Sequence, residues 1–222
     1  MLSRHDASPL PRGGRKLRAV AEQTSAPRRG RGRPARYSLE ELLSVVVAEF
    51  NARGYDATSI EDLARATGLT KSSVYHHVAS KEELLRLAVS RALDALFVVL
   101  DEPGSSTGSA VQRLEHVVRR SIDVLTAELP YVTLLLRVRG NTDAERWALE
   151  RRREFDRRLS GLVQDAIDAG DVRGDLDPRL VTRLLFGTVN SVAEWYRPGA
   201  GHGLGEVADT LVALVFDGIR KP

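Results

Sequence analysis

Cysteine is absent from all 222 residues. Neither a disulfide framework nor a zinc–thiolate site is therefore possible. Aromatic residues make up only 5% of the chain, and only four of the 33 basic residues are lysines. No run approaches the ~18 apolar residues of a membrane span. The N-terminus carries arginines but no apolar stretch after them, so it is not a secretory signal. These absences lead to the expectation of a soluble, cytoplasmic protein. Its length allows one small and one medium domain with an adequate core. No strand pattern of any length appears, and the expected fold class is all-α.

The signatures of catalysis are missing too. Gly199, Gly201, Gly203 and Gly205 alternate in a loop after Pro198 with no strand before them, which is not a dinucleotide-binding turn. Neither Lys71 nor Lys81 follows a glycine-rich run, and no G-x-S-x-G elbow occurs. His76 and His77 are adjacent, so on a helix they point about 100° apart and cannot chelate one ion together. His5, His116 and His202 have no partner at ligand spacing. The expectation is a protein that is not an enzyme and uses no metal and no cofactor.

What the chain does have is a lopsided charge. Residues 1–36 hold ten basic groups against Asp6 and Glu22, and the remaining 186 residues hold 23 basic against 28 acidic, which the net +3 conceals. The first 36 residues are rich in Pro, Gly, Arg and Ser and lack hydrophobic periodicity, as in a disordered basic arm. Within them, Arg29-Gly30-Arg31-Gly32-Arg33-Pro34 contains an R-G-R-P core resembling an AT-hook. A narrow A·T minor groove concentrates negative potential and accepts extended arginines such as Arg31, Arg33 and Arg36. A basic tail that binds phosphates without base preference, or that aids solubility, has the same composition.

Residues 59–78, SIEDLARATGLTKSSVYHHV, carry the densest signal. Thr58 and Glu61 have capping-box spacing, and Ile60, Leu63 and Ala64 then form an apolar stripe. Gly68 suits a left-handed helix stop, and Thr70 can cap the next short helix, whose Val74 and Val78 face inward. Lys71, Ser72, Ser73, Tyr75, His76 and His77 are left outside. A short helix with a small, polar, weakly basic outer face fits a DNA major groove. Ser38 with Glu41 and Ser80 with Glu83 repeat the capping-box spacing on either side, giving a helix-turn-helix module over residues 37–85.

The string F50-x3-G54-Y55-x2-T58-S59-x2-D62-L63-A64-x2-T67-G68-x2-K71-x3-Y75-H76-H77-V78-x-S80-K81-E82-E83-L84 closely resembles the N-terminal domain of TetR-family bacterial repressors. Val78 departs from the family, which usually has Phe there. The resemblance implies DNA contacts from Thr58, Ser59, Thr70, Lys71, Ser72, Ser73, Tyr75, His76, His77 and Lys81, with the two lysines on phosphates. It also implies a larger helical ligand-binding and dimerisation domain over residues 86–222. There, residues 178–219 would meet a second copy, so that two recognition helices enter successive major grooves of a palindromic operator about 34–36 Å apart.

The C-terminal part reads as helices over Ser109–Glu128, from Pro130 to near Gly140, and over Asp143–Ala169, Pro178–Tyr196 and Gly205–Ile219. Gly187-x2-Asn190-x4-Trp195-Tyr196-Arg197-Pro198-Gly199 looks like a stretch found in a TetR subgroup that answers to acyl-CoA thioesters. Arg137, Arg139, Arg146, Arg151, Arg152, Arg153, Arg157 and Arg158 cluster nearby. An arginine fork matches phosphate geometry, although most of such a run is ordinarily a solvated face paired with the interleaved carboxylates. The expected ligand set is Arg137, Arg139, Trp147, Phe155, Phe186, Asn190 and Trp195, with the aromatic residues as core or cavity wall. The expected function is an effector-released repressor. Two alternatives rank far below it: a nucleoid-type architectural protein using the Arg/Gly arm, and a CoA-binding enzyme-like domain with a vestigial DNA head.

Overall fold

The computed structural model describes residues 38–197 and 199–219. The arm, with Arg31, Arg33 and Arg36, lies outside the described residues, as does Pro198. The described chain is all-α: α1 Leu39–Arg53, α2 Ile60–Thr67, α3 Lys71–Tyr75, α4 Lys81–Asp101, a 3-10 turn at Pro103–Ser105, α5 Ala110–Ala127, α6 Leu129–Arg137, α7 Asp143–Asp168, α8 Pro178–Trp195 and α9 Leu204–Ile219. No described helix is long and apolar enough to cross a membrane.

Local chemistry starts and stops these helices. Ser38 and Glu41 close a reciprocal capping box on α1. On α2 the box belongs to Ser59 and Asp62, one residue beyond the expected Thr58 and Glu61. Thr58 is only 1% exposed, and its hydroxyl donates to the Gly54 carbonyl at 2.7 Å, so it cannot also cap α2. Gly68 ends α2 at φ 69°, in the left-handed region that a side chain would penalise. Thr70 caps α3 through the Ser73 N–H. At α4 the box is open. Ser80 accepts the Glu83 N–H, whereas the Glu83 carboxylate reaches past Ser80 to the N–H of Ala79.

Helices α1–α3 and the start of α4 form the head. Leu42, Val46, Val47 and Phe50 of α1 pack with Leu63 of α2, Val74 of α3 and Leu84 of α4, all at most 1% exposed. Val78, where the family usually has Phe, is buried at the end of the same core. The boundary expected at residues 85/86 falls inside α4, which runs unbroken into the second half and shares one apolar core with it. There, α7 packs against α4, α5 and α8, and α5 also carries α9.

Candidate nucleic-acid interface and effector cavity

The recognition surface is built by exclusion. Val74 is fully buried and locks α3 into the head, so one turn of helix leaves Lys71, Ser72, Tyr75 and His76 outside. Full burial of a valine contributes about 1.5–3 kcal/mol, ample to orient a five-residue helix that could not stand alone. Tyr75 is 52% exposed although it is large and aromatic. The Ser73 and Thr70 hydroxyls share a hydrogen bond of 2.8 Å at the N-terminus of α3. His77 is half-buried, Ser59 is exposed at the start of α2, and Lys71 is paired with Glu61 of α2.

Two residues expected on the DNA side are turned to structural use. Thr58 spends its hydroxyl inward, as described. Lys81 donates from Nζ to the carbonyls of Tyr55 and Thr58, both at 3.0 Å, and lies 4.1 Å from the Tyr55 ring centroid. Two of its three N–H donors thus tie α4 to the loop between α1 and α2. Desolvation, with Glu82, Asp56 and Glu145 nearby, raises the Tyr55 hydroxyl above its ordinary value and keeps the ring neutral beneath that ammonium.

The seven expected ligand residues do not converge on one site. Phe155, Phe186 and Asn190 do come together, with Leu93, Leu96, Val132, Leu135, Leu136, Arg152 and Asp156, around a small cavity of about 40 Å³ among α4, α6, α7 and α8. Edge-to-face contacts stack its wall: Phe97 on Phe155 at 5.8 Å and Phe155 on Phe186 at 5.2 Å. Arg152 and Asp156 were absent from the expected set. Desolvation lowers the Arg152 guanidinium and raises the Asp156 carboxyl, although Asp156 keeps access to water on its outer side.

The other four lie elsewhere. Arg137 donates to the Asn51 carbonyl, at the end of α1, so it clamps α6 to the head. Arg139 lines a separate junction cavity of about 160 Å³ with Tyr55, Arg137 and Glu145. Trp147 lies under the Arg86 guanidinium of α4, 4.4 Å from its ring centroid, partly buried but away from the Phe155 cavity. Trp195 is 54% exposed because it shares the outward face of α8 with Leu180 and Leu184. Helical spacing could locate these residues along α6–α8, but not the face that the packing leaves inward.

That outward face has a counterpart on α9. Leu180, Leu184, Trp195 and Leu214 are all more than half exposed. Between α8 and α9, Val192, Trp195, Val207, Leu211, Leu214 and Val215 line an apolar groove of about 290 Å³.

Comparison with known proteins agrees with this layout. The profile of bacterial regulatory proteins of the tetR family matches residues 42–88, and that of the tetracyclin repressor-like C-terminal domain matches residues 107–219. The HTH-type transcriptional repressor KstR2 of Mycobacterium tuberculosis is 31% identical over 82% of this chain and 92% of its own. Its structure, described as a ketosteroid transcriptional regulator, superposes with a TM-score of 0.75 at 29% identity, over 82% of this chain and 95% of that one. A TetR regulator from Streptomyces coelicolor A3 is 62% identical over 81% of this chain and 91% of its own, with a TM-score of 0.76. The fatty acid metabolism regulator protein of Bacillus subtilis is 22% identical over 82% of this chain and 95% of its own. The helix-turn-helix head, the all-helical second half and these matches together place the chain in the TetR family of bacterial transcriptional regulators, to which it belongs.

Proposed function

We propose that this protein is a homodimeric, non-enzymatic repressor that binds a palindromic operator and is released by an acyl-CoA. The observation that carries the DNA reading is the outer face of α3. A half-exposed tyrosine, two serines, a histidine and a lysine stand clear of a fully buried Val74. Such a face serves no packing purpose and matches a major groove. The exposed leucines of α8 and α9, with Trp195, are the surface on which a second copy would close, completing the dimer through residues 178–219.

The effector class is supported by three features. The Gly187–Gly199 stretch resembles the acyl-CoA-responsive subgroup. The cavity at Phe155 and Phe186 is apolar on most sides, and relatives are named for ketosteroid and fatty acid regulation. An acyl chain entering there must widen a 40 Å³ space by parting α4, α6, α7 and α8, and α4 begins in the head. The ligand thus favours an arrangement in which the two recognition helices miss successive grooves, with a coupling of about 1–3 kcal/mol. A mobility shift on the promoter DNA adjoining the gene, at fixed salt and with a panel of acyl-CoAs, tests this. Release by a thioester but not by its free acid is expected. Tight binding that no thioester moves would end the acyl-CoA reading and leave the repressor.

A further inference from the structure

An open groove of about 680 Å³ runs along the seam between α7 and the first half of α8. Arg153 and Arg157 line it from α7, and Arg179 and Arg183 line it from α8. Each pair has i,i+4 spacing, so the two arginines of each wall share one face of their helix, with Cβ atoms about 6 Å apart. All four residues are exposed.

Four nearby arginines are already satisfied. Arg146 pairs with Asp143, Arg151 with Glu154 at 2.6 Å, Arg158 with Asp101 at 2.8 Å and Arg173 with Asp175 at 2.6 Å. Among the described residues, Arg153, Arg157, Arg179 and Arg183 make no ion pair and no side-chain hydrogen bond. Two carboxylates share the groove. Asp177 is committed to capping α8, with one oxygen accepting the N–H groups of Arg179 at 2.7 Å and Leu180 at 3.2 Å. Asp156 feels the positive charge of both Arg152 and Arg183. Ser160 donates to the Thr182 hydroxyl, and Gln164 to Asp168. Gly161 faces open space, which leaves the floor clear.

Four unpaired guanidiniums around one concavity repel each other, and an anion with several phosphates relieves that repulsion through charge-assisted, bidentate contacts. One residue connects this groove to the apolar cavity: Asp156 lines both. The combination suits a ligand with a polyphosphorylated head and an apolar tail.

We infer that the α7–α8 groove is a binding site for a multiply phosphorylated nucleotide, the 3′-phospho-ADP portion of a coenzyme A thioester, whose acyl portion enters the cavity on the other side of Asp156. The assignment of the acyl portion rests on the effector reading above, whereas the anion site stands on the groove alone. It also replaces Arg137 and Arg139 as phosphate ligands, since the first is spent on the Asn51 carbonyl and the second faces the junction with the head.

Isothermal titration of the full chain with coenzyme A, 3′-phospho-ADP and inorganic phosphate at one ionic strength tests the site. The wild type is compared with R157E/R183E and with the charge-keeping pair R157K/R183K, and a circular-dichroism melt checks that each is folded. Coenzyme A and 3′-phospho-ADP should bind the wild type at least about tenfold more tightly than inorganic phosphate, and charge reversal should weaken both by about tenfold or more. The lysine pair should fall between, having charge without the fork. Equal affinities for the nucleotide and inorganic phosphate, or nucleotide affinity untouched by charge reversal, would overturn the site. Operator release by an acyl-CoA that is identical in wild type and R157E/R183E would also overturn it, yet leave the effector reading intact. Conversely, 3′-phospho-ADP binding lost on charge reversal, with no thioester releasing the operator, would uphold the anion site and end the acyl-CoA reading.

Discussion

Glu82 accepts the backbone N–H of Ala144 at 2.8 Å, so the second residue of α4 caps the first turn of α7. One position earlier, Lys81 holds the carbonyls of Tyr55 and Thr58. Adjacent side chains at the start of α4 therefore grip the reading head on one side and the effector half on the other. Arg137 on the Asn51 carbonyl, Asn51 on the Pro130 carbonyl at 2.8 Å, and Arg91 bridging Glu128 and Glu40 complete the junction. A shift of α7 reaches the head through named hydrogen bonds as well as through packing.

Replacing Glu82 with Ala removes the cap and a favourable charge at the α7 N-terminus. Stability should fall by about 1 kcal/mol in denaturant unfolding. The ratio of operator affinities without and with effector should shrink towards one, because the two halves are less firmly coupled. An unchanged ratio would reduce Glu82 to a local cap.

The two lysines of the head should behave in opposite ways. Lys71→Ala should leave the melting temperature nearly unchanged and reduce the salt slope of operator binding by about 0.9, the signature of one lost phosphate contact. Lys81→Met should lower stability by about 1–3 kcal/mol, since it strands two carbonyls, and change the slope little. A slope change for Lys81→Met equal to that for Lys71→Ala would return Lys81 to the DNA interface.

Tyr75→Ala truncates a side chain that is half in water, so folding should be spared and operator binding abolished. A wild-type footprint from this variant would contradict the assignment of α3 as the recognition helix.

Leu184 is 64% exposed at the centre of the outward face of α8. Leu184→Glu should give a monomer in sedimentation velocity and bind a single half-site only weakly. A dimer that survives this charge must use another face.

Acid should act through Glu102. Its carboxyl is lowered below the ordinary glutamate range, first by hydrogen bonds from Arg120 and then, against burial, by His116. In that range the unfolded chain binds more protons than the folded one. The contribution is thus complete above the unfolded value of about 4.3 and is lost as pH falls through the lower folded value. The gap in melting temperature between the wild type and Arg120→Leu should be widest near neutrality and close in acid. A gap independent of pH would mean that Arg120 acts through packing alone.

Helix positions and the head were legible in the sequence because their signals are local: caps, a left-handed glycine and buried valines one turn apart. The slip from Ser59 to Thr58 shows where local signals end. T-x-x-E and S-x-x-D overlap there, and only the burial of Thr58 against Gly54 selects between them. The effector half was harder to read for the same reason. Trp147 and Trp195 look equivalent to Phe155 and Phe186 in the sequence, and tertiary packing alone decides which of them faces the cavity. Arg179 and Arg183 carry no local signal, because their companions in the groove lie on α7, more than twenty residues away.

Helix α8 presents two different faces. Arg179 and Arg183 face the groove along α7, and Leu180 and Leu184, each one residue further on, face away from the molecule. On the proposed reading, a ligand that draws the arginines inward would also turn the leucines, linking effector strength to subunit association. Potency measured at nanomolar and at micromolar protein should therefore differ, and dose–response curves for this regulator have meaning only alongside the protein concentration at which they were taken.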